Sequence, residues 1–115
     1  MLIKDFFERY TLHDSLVDSI LYDDVKKELR MTIDFCYWMQ DGYDESDPET
    51  GIIILTFEGV DAYNGIIGEI DSFSILDFLY DNKTVTMNIL DDFHDEFYEL
   101  CFVADAVTLS DTAGS

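Results

Sequence analysis

The chain has 115 residues, and 18 Asp and 8 Glu stand against 4 Lys and 2 Arg, for a formal charge of −20. That balance excludes a basic patch for nucleic acid or an acidic membrane surface, while 48% hydrophobic residues and 15% aromatics are too apolar for an acidic disordered tail. The length predicts a single domain over 1–115, with 110–115 as a candidate disordered tail.

Taken in chain order, Ile3, Phe6, Phe7 and Tyr10 fall at helical spacing with Lys4, Asp5, Glu8 and Arg9 between them, which predicts one short amphipathic helix. The period then changes to two. Residues 16–23 read as a strand that turns at Asp23-Asp24-Val25-Lys26-Lys27 into a second strand over 28–38, where Leu29, Met31, Ile33, Phe35 and Tyr37 alternate with Glu28, Arg30, Thr32, Asp34 and Cys36. The odd-numbered side is the inner one. Ile52–Glu58 is nearly all apolar and β-branched, so it is expected to be a central strand covered on both faces.

The stretch from Ile70 to Tyr80 admits two periods. Phe73, Leu76 and Tyr80 suit a helix, but Asp81-Asn82-Lys83 followed by alternating Val85, Met87 and Ile89 has the form of a hairpin, and a strand is the reading adopted. Tyr98, Leu100, Phe102 and Ala104 alternate with Glu99, Cys101, Val103 and Asp105 to give the last strand. The expected fold is α+β and mainly β, a six-strand, mostly antiparallel meander with one short N-terminal helix and one partly polar sheet face. Three acidic connections punctuate it, Asp41 to Glu49, Asp61 to Glu69 and Asp91 to Glu96.

Cys36 and Cys101 lie far apart in apolar stretches without metal-ligand spacing, which predicts a reduced pair in a cytoplasmic protein. No apolar run approaches the ~20 residues of a spanning helix, and the N-terminus has no signal-like segment. His13-Asp14 and His94-Asp95 are the dipeptides of a metal-dependent phosphohydrolase, yet two His on apparent loops fall short of its ligand set, and a His13 or Asp14 side chain capping the turn into the first strand is the simpler account. Asp41, Asp44, Glu45, Asp47 and Glu49 supply enough oxygen for Ca²⁺, but their spacing does not match an EF-hand loop. Motifs for a nucleophile elbow or a phosphate-cradling loop are absent. The chain therefore reads as non-enzymatic, with no cofactor or metal expected.

The charge itself is the informative feature. Solubility asks for a net charge of about 2 to 8, and twenty excess carboxylates repel one another. A basic macromolecular partner would be steered in by such a field. Asp41, Asp44, Glu45, Asp47 and Glu49 form one candidate acidic rim with Trp38 and Tyr43 as aromatic anchors; Asp91, Asp92, Asp95 and Glu96 form a second, beside Phe93, Phe97 and Tyr98.

The order of elements, with the His13-Asp14-Ser15 turn before the first strand and the Leu29-Arg30-Met31-Thr32-Ile33 alternation, resembles small bacterial β-rich families, some grouped with immunity proteins of polymorphic toxin systems. The resemblance implies toxin neutralisation by binding. The expected partner is a basic protein, a nuclease or other nucleic-acid-binding protein, with no direct nucleic acid and no membrane. A phage-type DNA mimic or anti-CRISPR protein is the neighbouring alternative, and an accessory β-domain of a salt-adapted cell, without a dedicated basic partner, is the other.

Overall fold

The computed structural model describes residues 2–36, 40, 43–46 and 50–111. Its elements are α1 (Ile3–Arg9), β1 (Leu16–Asp23), β2 (Glu28–Cys36), β3 (Thr50–Glu58), β4 (Asp61–Asn64), β5 (Gly68–Asp81), β6 (Thr84–Asp91), β7 (Glu96–Val103) and β8 (Ala106–Asp111). The mainly β character and the short helix agree with the sequence reading. The strand number does not: eight strands form one antiparallel sheet in the order β4-β7-β6-β5-β1-β2-β3-β8.

The two added strands sit at the sheet margins. β4 lies inside what the sequence presents as the acidic connection from Asp61 to Glu69. It is four residues long and irregular, with Asp61 opposite Val103, Asn64 opposite Cys101 and Ala62 in the left-handed region, so no alternation announces it. β8 places Val107 and Leu109 on the core side and takes in Ser110 and Asp111, the first two residues of the expected tail. Nor is the sheet a simple meander. β1-β2-β3 and β5-β6-β7 are each meanders, joined where β1 pairs with β5.

β5 explains its own ambiguous sequence. Its first half pairs with β1 and its second half with β6, and the β6 register shifts between Ile75 and Asp77. The extra residue, Leu76, moves the inward positions to Phe73, Ile75, Phe78 and Tyr80, a two-three-two spacing that imitates a helix. A shift between Val17 and Ser19 does the same to β1, whose core residues are Val17, Ile20 and Tyr22.

Closure of the sheet follows from one short link. β7 and β8 are six strand positions apart, about 29 Å on a flat sheet at ~4.8 Å per strand, yet only Ala104 and Asp105 join Val103 to Ala106, a reach of about 11 Å. The sheet must therefore curl until its margins approach. Phe57 of β3 meets Phe102 of β7 edge-on at 5.0 Å between ring centroids, and Tyr22 of β1 meets Tyr63 of β4 at 5.2 Å. At eight strands such a curl encloses a space that side chains just fill. Leu29, Met31, Ile33, Phe35, Val85, Met87, Ile89 and Leu100 fill it here, all on the faces the alternation assigned inward, together with Leu55 of β3.

α1 covers one mouth of this curl. Ile3 and Phe6 are buried, Phe6 reaches Phe78 at 6.0 Å and Phe7 stacks on Phe78 at 4.3 Å. Tyr10 packs against Phe35, and an isolated bridge pairs Leu2 with Ala106. β3 is not the doubly covered strand its composition predicts: Ile53, Leu55 and Phe57 are buried, but Ile52 is 38% exposed and Ile54 is half-buried on the outer face. Its apolar outer residues face solvent because only the concave face of a curled sheet has a core to meet.

The β5–β6 hairpin is closed by Asn82 (φ 49°) and Lys83 (φ 70°), the two left-handed residues of a type I′ turn. Asn tolerates this conformation; Lys does not, at a cost of roughly 1 kcal/mol. The long side chain offsets little, since Lys83 Nζ stands 4.0 Å from Asp105 Oδ1 with both groups well exposed. Lys83→Gly is expected to raise unfolding stability by about 1 kcal/mol in urea titrations; no gain would mean that the turn is not held in the left-handed region.

Tyr63 supplies a spectroscopic check of the closure. Its hydroxyl donates to the Ile66 carbonyl at 2.6 Å, and burial pushes its pKa up to about 12. A raised folded pKa on an acid means stability present below the unfolded value near 10 and lost as pH climbs toward 12. In an ultraviolet titration one tyrosine should ionise about two pH units late, and Tyr63→Phe should remove that late step.

Candidate functional site

Strand direction separates the two acidic rims. β1 and β6 are both antiparallel to β5, so they run the same way, and the β1–β2 and β6–β7 turns leave the sheet in one direction while the β2–β3 connection leaves it in the other. Asp44 and Glu45, the described acids of the first rim, therefore belong to a connection at the other end of the strands from the second rim.

Of the first rim, Trp38, Asp41, Asp47 and Glu49 lie outside the described residues. Tyr43 is half-buried and its N–H donates to the Gln40 carbonyl at 3.3 Å; Asp44 and Glu45 are exposed, and Asp44 Oδ1 accepts from the Ser46 N–H at 3.1 Å. Gln40, which sequence reasoning passed over, fastens this connection to the chain before β1. Its amide nitrogen donates to the carbonyls of Thr11 at 2.9 Å and Cys36 at 2.8 Å, and its Oε1 accepts from the Thr11 N–H at 2.9 Å.

The turn into β1 is organised differently from expectation. His13 and Asp14 are exposed and their side chains face each other at 3.3 Å without capping the strand. Ser15 does the capping: fully buried, its Oγ accepts the Cys36 N–H at 3.1 Å, while its carbonyl accepts the Ile75 N–H and Asp14 donates to the Ile75 carbonyl. The Cys36 thiol donates to the Asp14 carbonyl at 3.4 Å, and Cys36 and Cys101 are both free.

The second rim is fully described. Asp91 does not belong to its exposed surface: it is 5% exposed, Oδ1 accepts from the N–H groups of Phe93 and His94 at 3.0 and 3.1 Å, and Oδ2 lies 2.7 Å from His94 Nδ1. Desolvation works to raise this carboxyl, but the side-chain and backbone hydrogen bonds and the charge of His94, with the Phe93 N–H, outweigh it and hold the group below the usual carboxylate range. Asp92, Asp95 and Glu96 remain exposed. Asp92 Oδ2 accepts from Ser74 Oγ at 2.8 Å, and Glu96 Oε2 accepts from the Tyr98 hydroxyl at 2.7 Å, which raises the Tyr98 pKa. Between these carboxylates Phe93 is 87% exposed and Phe97 68%. Tyr98, by contrast, points inward and stacks on Phe73 at 5.5 Å.

The β1–β2 turn repeats the device. Asp23 Oδ1 accepts from the Val25 and Lys26 N–H groups at 3.0 and 3.1 Å, and the residue before the next strand, Lys27, is left-handed as Asp95 is. The Lys26 backbone bond, with the weaker Val25 bond and the Lys26 charge, lowers the Asp23 pKa against its desolvation. The shared signal is legible as Asp-Asp-apolar-cation-X-Glu in Asp23-Asp24-Val25-Lys26-Lys27-Glu28 and, with His as the fourth residue, in Asp91-Asp92-Phe93-His94-Asp95-Glu96. It places Val25, 88% exposed, at the tip that Phe93 occupies in the other turn. The first turn keeps two lysines beside its acids; the second has none.

Among the described residues no three His, Cys, Asp or Glu side chains are grouped to hold a metal ion, and no helix is long and apolar enough to cross a membrane. A shallow depression on the outer face of the β1–β2 hairpin is lined by Leu21, Tyr22, Asp23, Lys26, Glu28 and Arg30, where charges of both signs mix. Comparison with protein-family models, curated proteins and solved structures found no match to this chain.

Asp91 makes the acid limb of stability testable. Its depressed pKa means a contribution present above the unfolded value and lost as pH falls through the folded one, below about pH 4. Asp91→Asn keeps an acceptor for the turn but cannot titrate. The stability difference between wild type and this variant, measured by urea unfolding, should narrow from pH 6 toward pH 3; a difference constant with pH would show that Asp91 carries no linkage.

Proposed function

We propose that the protein is a non-catalytic acidic inhibitor that occupies a cationic protein surface, in the manner of an immunity protein acting on a nuclease-type toxin. The observation that supports this most directly is the β6–β7 turn, where Asp92, Asp95 and Glu96 surround Phe93 and Phe97, both held in solvent. Carboxylates supply long-range attraction and orientation, and aromatic rings supply buried area once contact is made. The net charge of −20 extends that attraction beyond the turn itself.

A filled interior supports binding through the outer surface. Phe57 and Phe102 are fully buried inside the curl and Phe78 packs against Phe57 beneath α1, so recognition falls to turns and outward-facing strand residues. Adaptation to salt accounts for acidic residues but gives no reason for two phenylalanines to stand in water at an acidic turn. Phosphate mimicry toward a DNA-binding protein is the neighbouring form of this reading, since carboxylates fixed on a sheet compete with DNA for Lys and Arg.

The test is co-expression with the product of the adjoining gene, reading growth and DNA integrity. Harm from the neighbour alone that this chain relieves, with a complex isolated from both purified proteins, is the expected result. A harmless neighbour, or harm that persists when this chain is present, overturns the immunity reading. Replacing Asp92 and Asp95 by Asn and Glu96 by Gln should slow association roughly tenfold at low salt and flatten its salt dependence, since the substitutes keep the Ser74 and Tyr98 acceptors. Unchanged association kinetics would remove this turn from the interface.

A further inference from the structure

Pairing register assembles an apolar strip on the outer face beside the β6–β7 turn. Phe97 of β7 is opposite Leu90 of β6, Leu90 is opposite Ser74 of β5, and Ser74 is opposite Leu16 of β1. Leu16 and Leu90 are half-buried and stand outside the core cluster, and Phe97 is 68% exposed. The bond from Ser74 Oγ to Asp92 holds the start of the turn against this row, and Phe93, the next residue, is exposed with its ring edge-on to that of His94.

Both flanks of the strip are acidic. On one side stand Asp92 and Asp95; on the other, the next outward-facing row along the strands holds Glu99, Asn88 and Asp77, with Asn88 opposite both neighbours. Within β5, β6, β7 and the β6–β7 turn there is no Lys or Arg. An apolar centre between two carboxylate margins is complementary to a segment with an apolar stripe and cations on both sides. Three strand steps from Phe97 to Leu16 span about 14 Å, the length of roughly ten helical residues. A second copy of the chain would bring another −20 to the same surface and is disfavoured by that repulsion.

We propose that this strip, Leu16, Leu90, Phe97 and the adjoining Phe93, is the docking surface for an amphipathic helix of the basic partner, with Lys and Arg flanking its apolar stripe. The proposal rests on the cationic-partner reading above and specifies where and what that partner presents. The apolar stripe lies along the row, and its cations reach Asp92 and Asp95 on one side and Asp77 and Glu99 on the other.

The test uses two synthetic peptides of about 14 residues, long enough for marginal helicity, made of Leu and Lys in identical proportion. One has the leucines on a single helical face; the other is scrambled so that no face is apolar. Binding to the full chain is measured at about 0.15 M salt, with amide shifts followed by NMR. The amphipathic peptide should bind about tenfold more tightly than its scrambled isomer, shifting Leu16, Leu90 and Phe97. The Phe93→Ser/Phe97→Ser double variant, altered only at exposed positions, should abolish that preference while retaining the scrambled peptide's affinity and the wild-type melting temperature. Equal affinity for both peptides, or a preference that survives the double variant, overturns the strip and leaves the cationic-partner reading standing. If neither peptide binds, both readings are overturned. A concentration-dependent dimer that shields Phe97 would assign the strip to a second copy and overturn the proposal.

Discussion

The constraint on which this molecule depends is the two-residue link between β7 and β8. It ties together strands that the ladder order keeps far apart, so the sheet can satisfy both its hydrogen bonds and its chain connectivity only by curling. Curling gives every strand one face toward a common interior, and the phenylalanine cluster of Phe57, Phe78 and Phe102 occupies the point where the approaching sides meet. Gly59 is part of the same arrangement. It is left-handed at φ 67°, and a Cβ there would collide with the Asp105 carboxylate, whose own N–H donates to Glu58. The left-handed backbone at this joint favours glycine, and any side chain there would also have to displace the exposed Asp105 carboxylate.

A filled interior leaves the outer face and the turns to carry recognition, and the acids divide between the two directions in which the turns leave the sheet. This division separates roles that composition merges. Asp23 and Asp91 hold their turns together from within, Asp92 accepts from Ser74 of β5 and Glu96 from Tyr98 of its own strand while both remain in solvent, and Asp95 occupies a left-handed turn position. Carboxylates equivalent by charge count are unequal in what they are free to do.

Much of the fold was legible because alternation survives wherever a strand is regular. β2, β6 and β7 were readable from residue types alone, including which side faces the core. The pattern failed where geometry departs from the ideal pleat: the extra residue at Leu76 shifted β5 toward a helical spacing, and Ala62 broke β4 before a period could form. Curvature was hidden as well, because the outward Ile52 and Ile54 are chemically identical to the buried Ile53. At the candidate site the sequence identified Phe93 and Phe97 among acids but could not separate Asp91 from its exposed neighbours, since the difference lies in two backbone N–H groups aimed at its side chain. The register that sets Phe97, Leu90 and Leu16 side by side depends on long-range pairing and has no local signature.

Between β4 and β8 the curled sheet has a seam. Each strand has one ladder, to β7 and to β3, with only the isolated bridge from Ala106 to Leu2 beside it, and no ladder among the described residues stitches the two together. β4 is also the shortest and least regular strand, so this margin has few cooperative bonds to hold it. The wall can part there while β7-β6-β5-β1-β2-β3 stays intact, much as a rolled card relaxes along its free edge without tearing. Solvent would first reach the amides of 61–64, leaving the surface opposite the seam as the rigid side of the molecule.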